Sequence, residues 1–502
     1  MWTYGERAVL LESGDVALVG VGADAARAAG NGAVLTAPGP GRRRRWAATT
    51  PARIRLLALA VAVPVAALAV VFTLGARGER AGLDVIGHRT APVVVASSDL
   101  YFVLNDMDAQ LANVLLVGDE TTLGFTRAQA LTIYEQRRQQ AVGDLQQVAA
   151  ASAGQSVRDI LDAFGRYQAL AAQTILLDQQ ASHPAGQPPA AALAQYRQAT
   201  DLLKATLLPA ARDLADRNAQ TLERTYQDQH GATLTTRTWI GATGIAALVV
   251  LLVAQVLLFR RFRRLFNPAL VAATLLTGAL TVSGVVVTTG VAGHLRAAKK
   301  DAFDSILVLS QARAVSYDAN ADESRYLLDP ARAAQYEQAF LTKTQQLVTL
   351  PGATLATFDQ RLAAARNAYQ QDNSTIGWQG FLGTEFRNIT FTGERAAAET
   401  TLQRYQTYQL DDRRIRALAT GGHLRDAIAL CTSYTPGDSN YAFDSYDKAL
   451  AALIDINQHA FDQNISDGQQ QLTGWTVIPP AVGLAVLGLL VVGLRRRLVE
   501  YR

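Results

Sequence analysis

Residue types that commonly carry catalysis or metal binding are sparse and scattered in this chain of 502 residues. No two histidines stand at the HExxH spacing or at the short spacing of a zinc site. His88 and His294 both lie near predicted outer ends of membrane helices, which fits a pH sensor, although polar packing is the commoner role there. The six histidines are His88, His183, His230, His294, His423 and His459.

Adjacent carboxylates occur at Asp322–Glu323 and at Asp411–Asp412. A general acid–base pair needs carboxyl groups that are held in different environments. On long polar helices, such neighbours are typical of a face that contacts solvent, and we interpret both pairs in that way. The single cysteine, Cys431, excludes an internal disulfide and is typical of a small packing residue.

The sequence also lacks motifs for nucleotide binding or phosphoryl transfer, since it contains no GxxxxGK[ST] loop and no kinase HRD or DFG set. The predicted cytoplasmic segments are too short to hold a kinase or cyclase. We therefore predict a protein that is not an enzyme and that uses no cofactor and no metal.

One stretch does group residues that could bind a partner, namely FRRFRRLFNP at residues 259–268. Arginine donates paired hydrogen bonds to carboxylate or phosphate groups, but arginines beside a membrane also fix topology and bind anionic lipid. Both interpretations stay open. The predicted cytoplasmic output or lipid-contact surface comprises Arg260, Arg261, Phe262, Arg263, Arg264 and Phe266.

Two uncharged apolar runs flank this stretch, at residues 239–259 and 268–293, and two others lie at residues 56–75 and 475–494. About 20 helical residues cover a hydrocarbon core of ~30 Å, so each run predicts a membrane helix. Arginines cluster before the first run, between the second and third, and after the fourth. Because cytoplasmic loops are rich in Arg and Lys, both termini are predicted to be cytoplasmic in a multi-pass plasma-membrane protein.

The net charge of +4 lies largely at these membrane flanks, which argues against nucleic-acid binding. Between the runs, apolar residues recur three or four apart, as at Leu100, Leu104 and Leu111, and this period predicts helices. Thr126 is a good N-cap for one helix, and proline at position 330 ends another.

The predicted fold is an all-α membrane protein with four transmembrane helices and two extracytoplasmic helical bundles, in a TM–bundle–TM repeat. The predicted segments are a largely disordered cytoplasmic tail (1–52), TM1 (56–75), a four-helix bundle (77–237), TM2 (239–259), an Arg-rich loop (260–267), TM3 (268–293), a second helical domain (296–474), TM4 (475–494) and a cytoplasmic end (495–502).

Four phrases resemble sequences of a family of actinobacterial four-span membrane proteins. They are YRQATDLLKATLLPAA (196–211), ESRYLLDP (323–330), EFRNITFTGERAAA (385–398) and SNYAFDSYDKALAALIDINQHAFD (439–462). The family is similar to the GlnX-like transmembrane linker of glutamate-sensing systems. The resemblance implies coupling between an external solute-binding lipoprotein and a cytoplasmic PknG-like Ser/Thr kinase, and it supplies no site residues.

The residues themselves also favour a signalling protein. A chain with large predicted extracytoplasmic domains and short cytoplasmic segments needs a separate protein to carry its output. The predicted function is therefore a signalling linker that senses a binding protein or ligand and relays to a kinase or adaptor, with a homodimer as one arrangement. Three alternatives stay open: a free-standing small-molecule receptor of the chemoreceptor type, a structural scaffold of the cell envelope, and an accessory subunit of a transporter.

Overall fold

The computed structural model describes residues 50–151, 154–262 and 267–499. The chain divides into two compact units at Arg55, and the contacts discussed below lie within the unit Leu56–Arg502. The described residues are helical and contain no strand. This confirms the predicted all-α class. The predicted disordered tail (1–52) lies outside the described part of the chain, except for residues 50–52, which belong to a helix.

Helices of the first half alternate with short loops and two π-helical segments. In chain order they are α1 (Thr50–Asp84), the first π-helix (Val85–Thr90), α2 (Ala91–Val117), α3 (Arg127–Ala151), α4 (Gln155–Gln179), α5 (Ala190–Leu202), the second π-helix (Leu203–Leu207) and α6 (Leu208–Phe262).

The second half has shorter helices between two long ones. In order they are α7 (Pro268–Arg296), the third π-helix (Ala297–Phe303), α8 (Asp304–Leu328), a short 3₁₀ turn (Pro330–Arg332), α9 (Ala333–Leu347), α10 (Phe358–Gln371), α11 (Gly380–Asn388), α12 (Glu394–Thr420), α13 (Leu424–Thr432), α14 (Ser439–Gln471) and α15 (Ile478–Val499).

Four helical stretches are long and apolar enough to cross a membrane, which makes this a membrane protein. Three of them, Ile54–Val117, Ala190–Arg260 and Pro268–Leu328, are 64, 71 and 61 residues long. Since about 20 residues span a bilayer, each of these helices continues far beyond the membrane. The helical domain beyond the spans, which we call the outer domain because it is predicted to be extracytoplasmic, is therefore built on extensions of the membrane helices.

The first and third π-helices occupy corresponding places, each between a helix that carries an apolar span and the buried helix that follows it. A π-helix widens one turn and is often found at functional sites. The backbone stays helical on both sides, since Asp84 and Ala91 flank the first π-helix with φ of −62° and −59°, and Arg296 and Asp304 flank the third with φ of −66° and −63°. The repeated order of span, π-helix and buried helix supports the predicted architectural repeat.

The junction between α14 and the fourth span is a break between two helices. Gly474 adopts a φ of +85°, which only glycine accepts readily. The chain turns there, and α15 begins at Ile478 with Pro479 and Pro480 in its first turn, where proline is tolerated. The fourth span is thus hinged to its outer helix, whereas the other three are continuous.

One hydrophobic core joins the two outer segments, which the sequence predicts to form two bundles. This core includes Leu104 and Leu111 of α2 together with Leu309 and Leu327 of α8 and Tyr405 of α12. Helix α2 is buried on every side from Phe102 to Val117. Although this segment includes polar residues such as Asp106 and Asp108, it has no face open to solvent and is therefore enclosed by other helices. Within the described residues, α2 and α8 are therefore the paired central helices of the outer domain.

Candidate functional site

A buried arginine marks the centre of the outer domain. Arg325 of α8 has no solvent exposure. Its Nη2 donates to Asp108 Oδ2 of α2 at 2.8 Å, and its Nη1 donates to Asp322 Oδ1 at 2.6 Å and to Asp318 Oδ1 at 3.2 Å. Arg325 and Asp108 are 217 positions apart in sequence. The guanidinium therefore links the two halves of the chain.

Asp108 also accepts hydrogen bonds from three hydroxyl groups in the first half of the chain. Thr200 donates to its Oδ1 at 2.9 Å, Tyr167 donates to the same oxygen at 3.3 Å, and Tyr196 donates to Oδ2 at 3.2 Å. Buried carboxylates are stable when their lone pairs are filled in this way. Helices α2, α4, α5 and α8 thus meet at one carboxylate.

Two lysines complete the cluster on its other side. Lys204 Nζ lies 3.0 Å from Asp322, and Lys343 Nζ lies 2.7 Å from Asp318 and also bonds Asp322. Burial alone would raise the pKa of Asp322, but Lys343, Lys204 and Arg325 outweigh it and hold that pKa well below its ordinary value. Burial lowers the pKa of Lys204. We name these residues the central ionic cluster: Asp108, Lys204, Asp318, Asp322, Arg325 and Lys343.

The phrases 196–211 and 323–330 fit against each other beside this cluster. Arg197 donates to both oxygens of Asp329 at 2.8 and 2.5 Å, and Arg332 donates to Asp201 at 2.8 Å. Such paired arginine–carboxylate bonds fix orientation as well as distance. These two of the four phrases that carry the resemblance therefore lie at the contact between the two halves of the chain.

Residues 82–227 are similar to the Actinobacterial sensor domain.

This similarity supports a sensor protein. The matched part runs from the end of α1 into α6 and so includes Asp108, Tyr196 and Lys204. Their partners Asp322 and Arg325 come from outside it, so the matched segment packs directly against the second half. No curated protein and no solved structure matches the chain.

The phrase 439–462 binds the other side of α8. Arg313 donates to both oxygens of Asp447 at 2.6 and 2.8 Å, and the Tyr317 hydroxyl donates to Asp447 at 3.0 Å. The Arg313 guanidinium lies 4.4 Å from the centre of the Phe102 ring of α2, a cation–π contact. Helix α14 is thereby held to α8, and through Arg313 to α2.

The acidic pairs of the sequence are not solvated, so our interpretation of them as solvent-facing is wrong. Asp322, Glu323, Asp411 and Asp412 are all buried. Burial and the neighbouring Asp412 raise the pKa of Glu323 well above its ordinary value, while Arg416 donates to both oxygens of Asp412 at 3.0 Å. Local sequence cannot reveal this, because the covering residues come from distant helices.

We call the end of the outer domain where α2 and α4 finish the distal end. There His183 makes contacts that the spacing of the histidines in sequence did not predict. Its Nε2 lies 2.7 Å from Asp178 Oδ1, while Arg127 Nε lies 2.9 Å from Asp178 Oδ2 and Arg127 Nη1 lies 2.7 Å from Asp119. This group ties the ends of α2, α3 and α4 together. No group of three or more His, Cys, Asp or Glu residues in the described ranges is arranged to hold a metal ion.

The predicted output surface falls mostly on residues that the structure does not describe. Arg260 is exposed near the end of α6. Arg263, Arg264 and Phe266 lie outside the described residues, as do the side chains of Arg261 and Phe262, so that surface stays a prediction. Next to it, Asn267 caps α7 by accepting the Ala269 N–H at 3.2 Å and donates to the Gly493 carbonyl of α15 at 3.0 Å.

Proposed function

We propose that this chain is a non-enzymatic transmembrane signalling linker, which couples sensing outside the membrane to a separate protein inside. The observation that carries the proposal is the position of Arg325. It lies near the far end of one helical stretch, Pro268–Leu328, whose other end enters the membrane. Any rearrangement of the outer halves that shifts the central ionic cluster acts directly on the third span.

The relay would be a small movement of packed helices. Helices in contact can shift by about 1–2 Å when a partner favours one of two arrangements. The stretches Ile54–Val117 and Ala190–Arg260 also run from the outer core into the membrane without interruption. The fourth span, which is hinged at Gly474, would follow the third through the contact of Asn267 with Gly493.

We further propose that both termini and the loop 260–267 are cytoplasmic. Reporter fusions after Arg264 and Arg497 should then read inside. Fusions at Gln187 and Gly437, which are exposed at the distal end of the outer domain, should read outside. An inside signal at Gln187 would refute both the orientation and the sensing role.

For partners, we propose a solute-binding lipoprotein at the distal end outside and a Ser/Thr kinase or adaptor inside, with no nucleic acid. The distal loops around Gln187 and Gly437 are exposed, which suits a protein partner. Calorimetry on the full chain separates this from direct sensing, since tight binding of a free small molecule would favour the receptor alternative. Binding of cell-wall polymer or of a permease would favour the scaffold or the transporter subunit.

The relay itself is tested by spin labels at the inner ends. Cysteines would replace Arg260 and Arg495, which are both exposed, in a Cys431→Ser background in nanodiscs. We expect Arg325→Met to change the distance between the labels by about 1–2 Å. Arg332→Met, which removes the partly exposed pair with Asp201 and leaves Asp329 bonded to Arg197, is the matched control. An unchanged distance in a folded Arg325→Met protein would refute the relay.

A further inference from the structure

The phrase 385–398 contacts the third π-helix, where the third span leaves the membrane. The Asn388 side-chain amide donates to the carbonyl oxygens of Lys300 at 3.3 Å and Asp301 at 3.1 Å, and to Ser305 Oγ at 2.9 Å. A π-helix distorts the regular bonding of its turn, so these outside bonds help to fix its shape. We call this contact the Asn388 latch.

Two carboxyl groups lie directly behind the latch. Glu385, on the same helix as Asn388, is 1% exposed, and Glu394, at the start of α12, is 0% exposed. Glu394 Oε2 accepts the N–H groups of Thr390 at 2.6 Å and Phe391 at 2.9 Å. Among the described residues, no donor is in hydrogen-bonding geometry to either oxygen of Glu385 or to Glu394 Oε1.

A polar cavity of about 300 Å³ reaches Glu385 from the surface. The charged side chains that face it are Lys300 and Asp304 from the side of the third span, and Arg387 from its own helix. Lys300 already bonds Glu223 and lies near Asp304, so it is neutralised. No charged residue of α9 lines this cavity in the described chain. The remaining charged neighbour of Glu385 is Glu394.

Two buried carboxylates cannot both be ionised side by side without a large cost, and the usual solution is that they share a proton. Water in the cavity gives that proton a route to the outside. We propose that Glu385 and Glu394 hold one proton between them, and that its loss releases the Asn388 latch from the third π-helix. External pH would then act on the third span, which is an input that goes beyond the proposed linker role.

The electrostatics of the site agree with this geometry. Burial, together with the neighbouring Glu394 carboxylate, outweighs the lowering effect of the Ser305 hydroxyl and raises the pKa of Glu385 from 4.5 to about 8. Because the folded-state pKa is raised, the stabilisation from the protonated form is complete below the unfolded value and is lost as the pH rises through about 8. The latch is therefore closed in mildly acidic and neutral medium and opens in alkaline medium.

Two measurements on the full chain in nanodiscs test the proposal without any downstream partner. The infrared band of protonated carboxyl groups at pH 6 should lose intensity in Glu385→Gln, and the wild-type band should lose that same component by pH 9. Hydrogen exchange at the third π-helix should be faster in the wild type than in Glu385→Gln at pH 9. About a tenfold difference is expected, since each pH unit above the pKa shifts the ratio of the two forms tenfold.

Asp372→Asn is the matched control, because this carboxylate lies in an exposed loop and should change neither measurement. In Glu394→Gln, the Glu385 component should disappear at lower pH, which provides a second route if Glu385→Gln folds poorly. Asn388→Ala should speed exchange at pH 6 as well. Equal exchange in the wild type and Glu385→Gln at pH 9, or an unchanged infrared band, would overturn the latch while leaving the proposed relay untouched.

Discussion

At the scale of single residues, the outer domain depends on charges that are buried and paired. Taking an ion out of water is costly, and that cost is offset only when partners surround it. In the central ionic cluster Arg325, Lys204 and Lys343 face Asp108, Asp318 and Asp322, so the charges balance. Removing one member therefore destabilises the fold by more than the intact pair stabilises it, because the partners are left as buried charges without a counter-charge.

Arg325→Met should lower the free energy of unfolding by about 3–5 kcal/mol, because Asp108 would lose its cationic partner within the core. Denaturant unfolding of the full chain, followed by circular dichroism, measures this. Arg332→Met removes a pair whose partner, Asp201, is 57% exposed, and should cost less than about 1 kcal/mol. Equal losses in the two variants would contradict a central role for Arg325.

Asp144 gives a pH-dependent test in a second cavity, of about 260 Å³, which it lines with Asp99. Burial, together with the charge of Asp99, raises the pKa of Asp144 to about 7. Its stabilising protonated form is thus lost as the pH rises through 7. We expect the melting temperature of Asp144→Asn to equal that of the wild type near pH 4 and to exceed it above pH 7.

Thermal unfolding across that pH range checks the sign. Asp455→Asn alters an exposed carboxylate of α14 and should leave the difference near zero throughout. A difference that shrinks with rising pH would mean that Asp144 is stabilised in its ionised form.

At the scale of elements, helix ends decide which parts of the protein can move together. Three membrane helices pass into the outer core without a break, whereas α14 and α15 are separated by a turn at Gly474. The first and third π-helices put a wider turn between a span-bearing helix and the buried helix that follows it. The inner ends of α7 and α15 are in turn joined by one side chain, Asn267.

Asn267 has two separable roles, and two variants distinguish them. Asn267→Ala removes both the cap of α7 and the bond to Gly493, and should lower stability by about 0.5–2 kcal/mol through the cap alone. Asn267→Asp keeps an acceptor for the Ala269 N–H but cannot donate to Gly493. We expect Asp to recover most of the loss in melting temperature. If Asp were as harmful as Ala, the contact with Gly493 would be the dominant one.

At the scale of the whole molecule, the two outer segments form one core. The sensor-like segment supplies α2, which is enclosed on every side from Phe102 to Val117 by helices of both halves. Separating the segments would expose this helix and would leave Asp108 without Arg325. Cooperative folding should therefore require both.

Residues 80–236 expressed alone should be helical but loosely packed, with strong binding of a hydrophobic dye and no sharp thermal transition. Addition of residues 296–474 should restore a cooperative transition and reduce dye binding. Circular dichroism and dye fluorescence report both effects. A fragment 80–236 that unfolds as sharply alone as in the mixture would instead favour two independent bundles.

The sequence by itself determined the features that depend on neighbouring residues. Apolar runs of spanning length located four membrane helices, and the three-to-four-residue period located the helices outside. Thr126 caps its helix as predicted, in a reciprocal pair with Gln129, and α8 ends just before Asp329–Pro330. These outcomes are local, because transfer to lipid, capping and proline geometry act within a few residues.

Only the tertiary structure decided what the polar residues of α8 do. In sequence, residues 318–325 look like a solvated helical face, yet Asp318, Asp322 and Arg325 are buried because α2, the second π-helix and α9 cover them. The pairing of Arg325 with Asp108 joins positions 217 residues apart, and no local pattern encodes such a distance. A charge can be stable in a core when partners from other helices reach it, so its role is settled by packing.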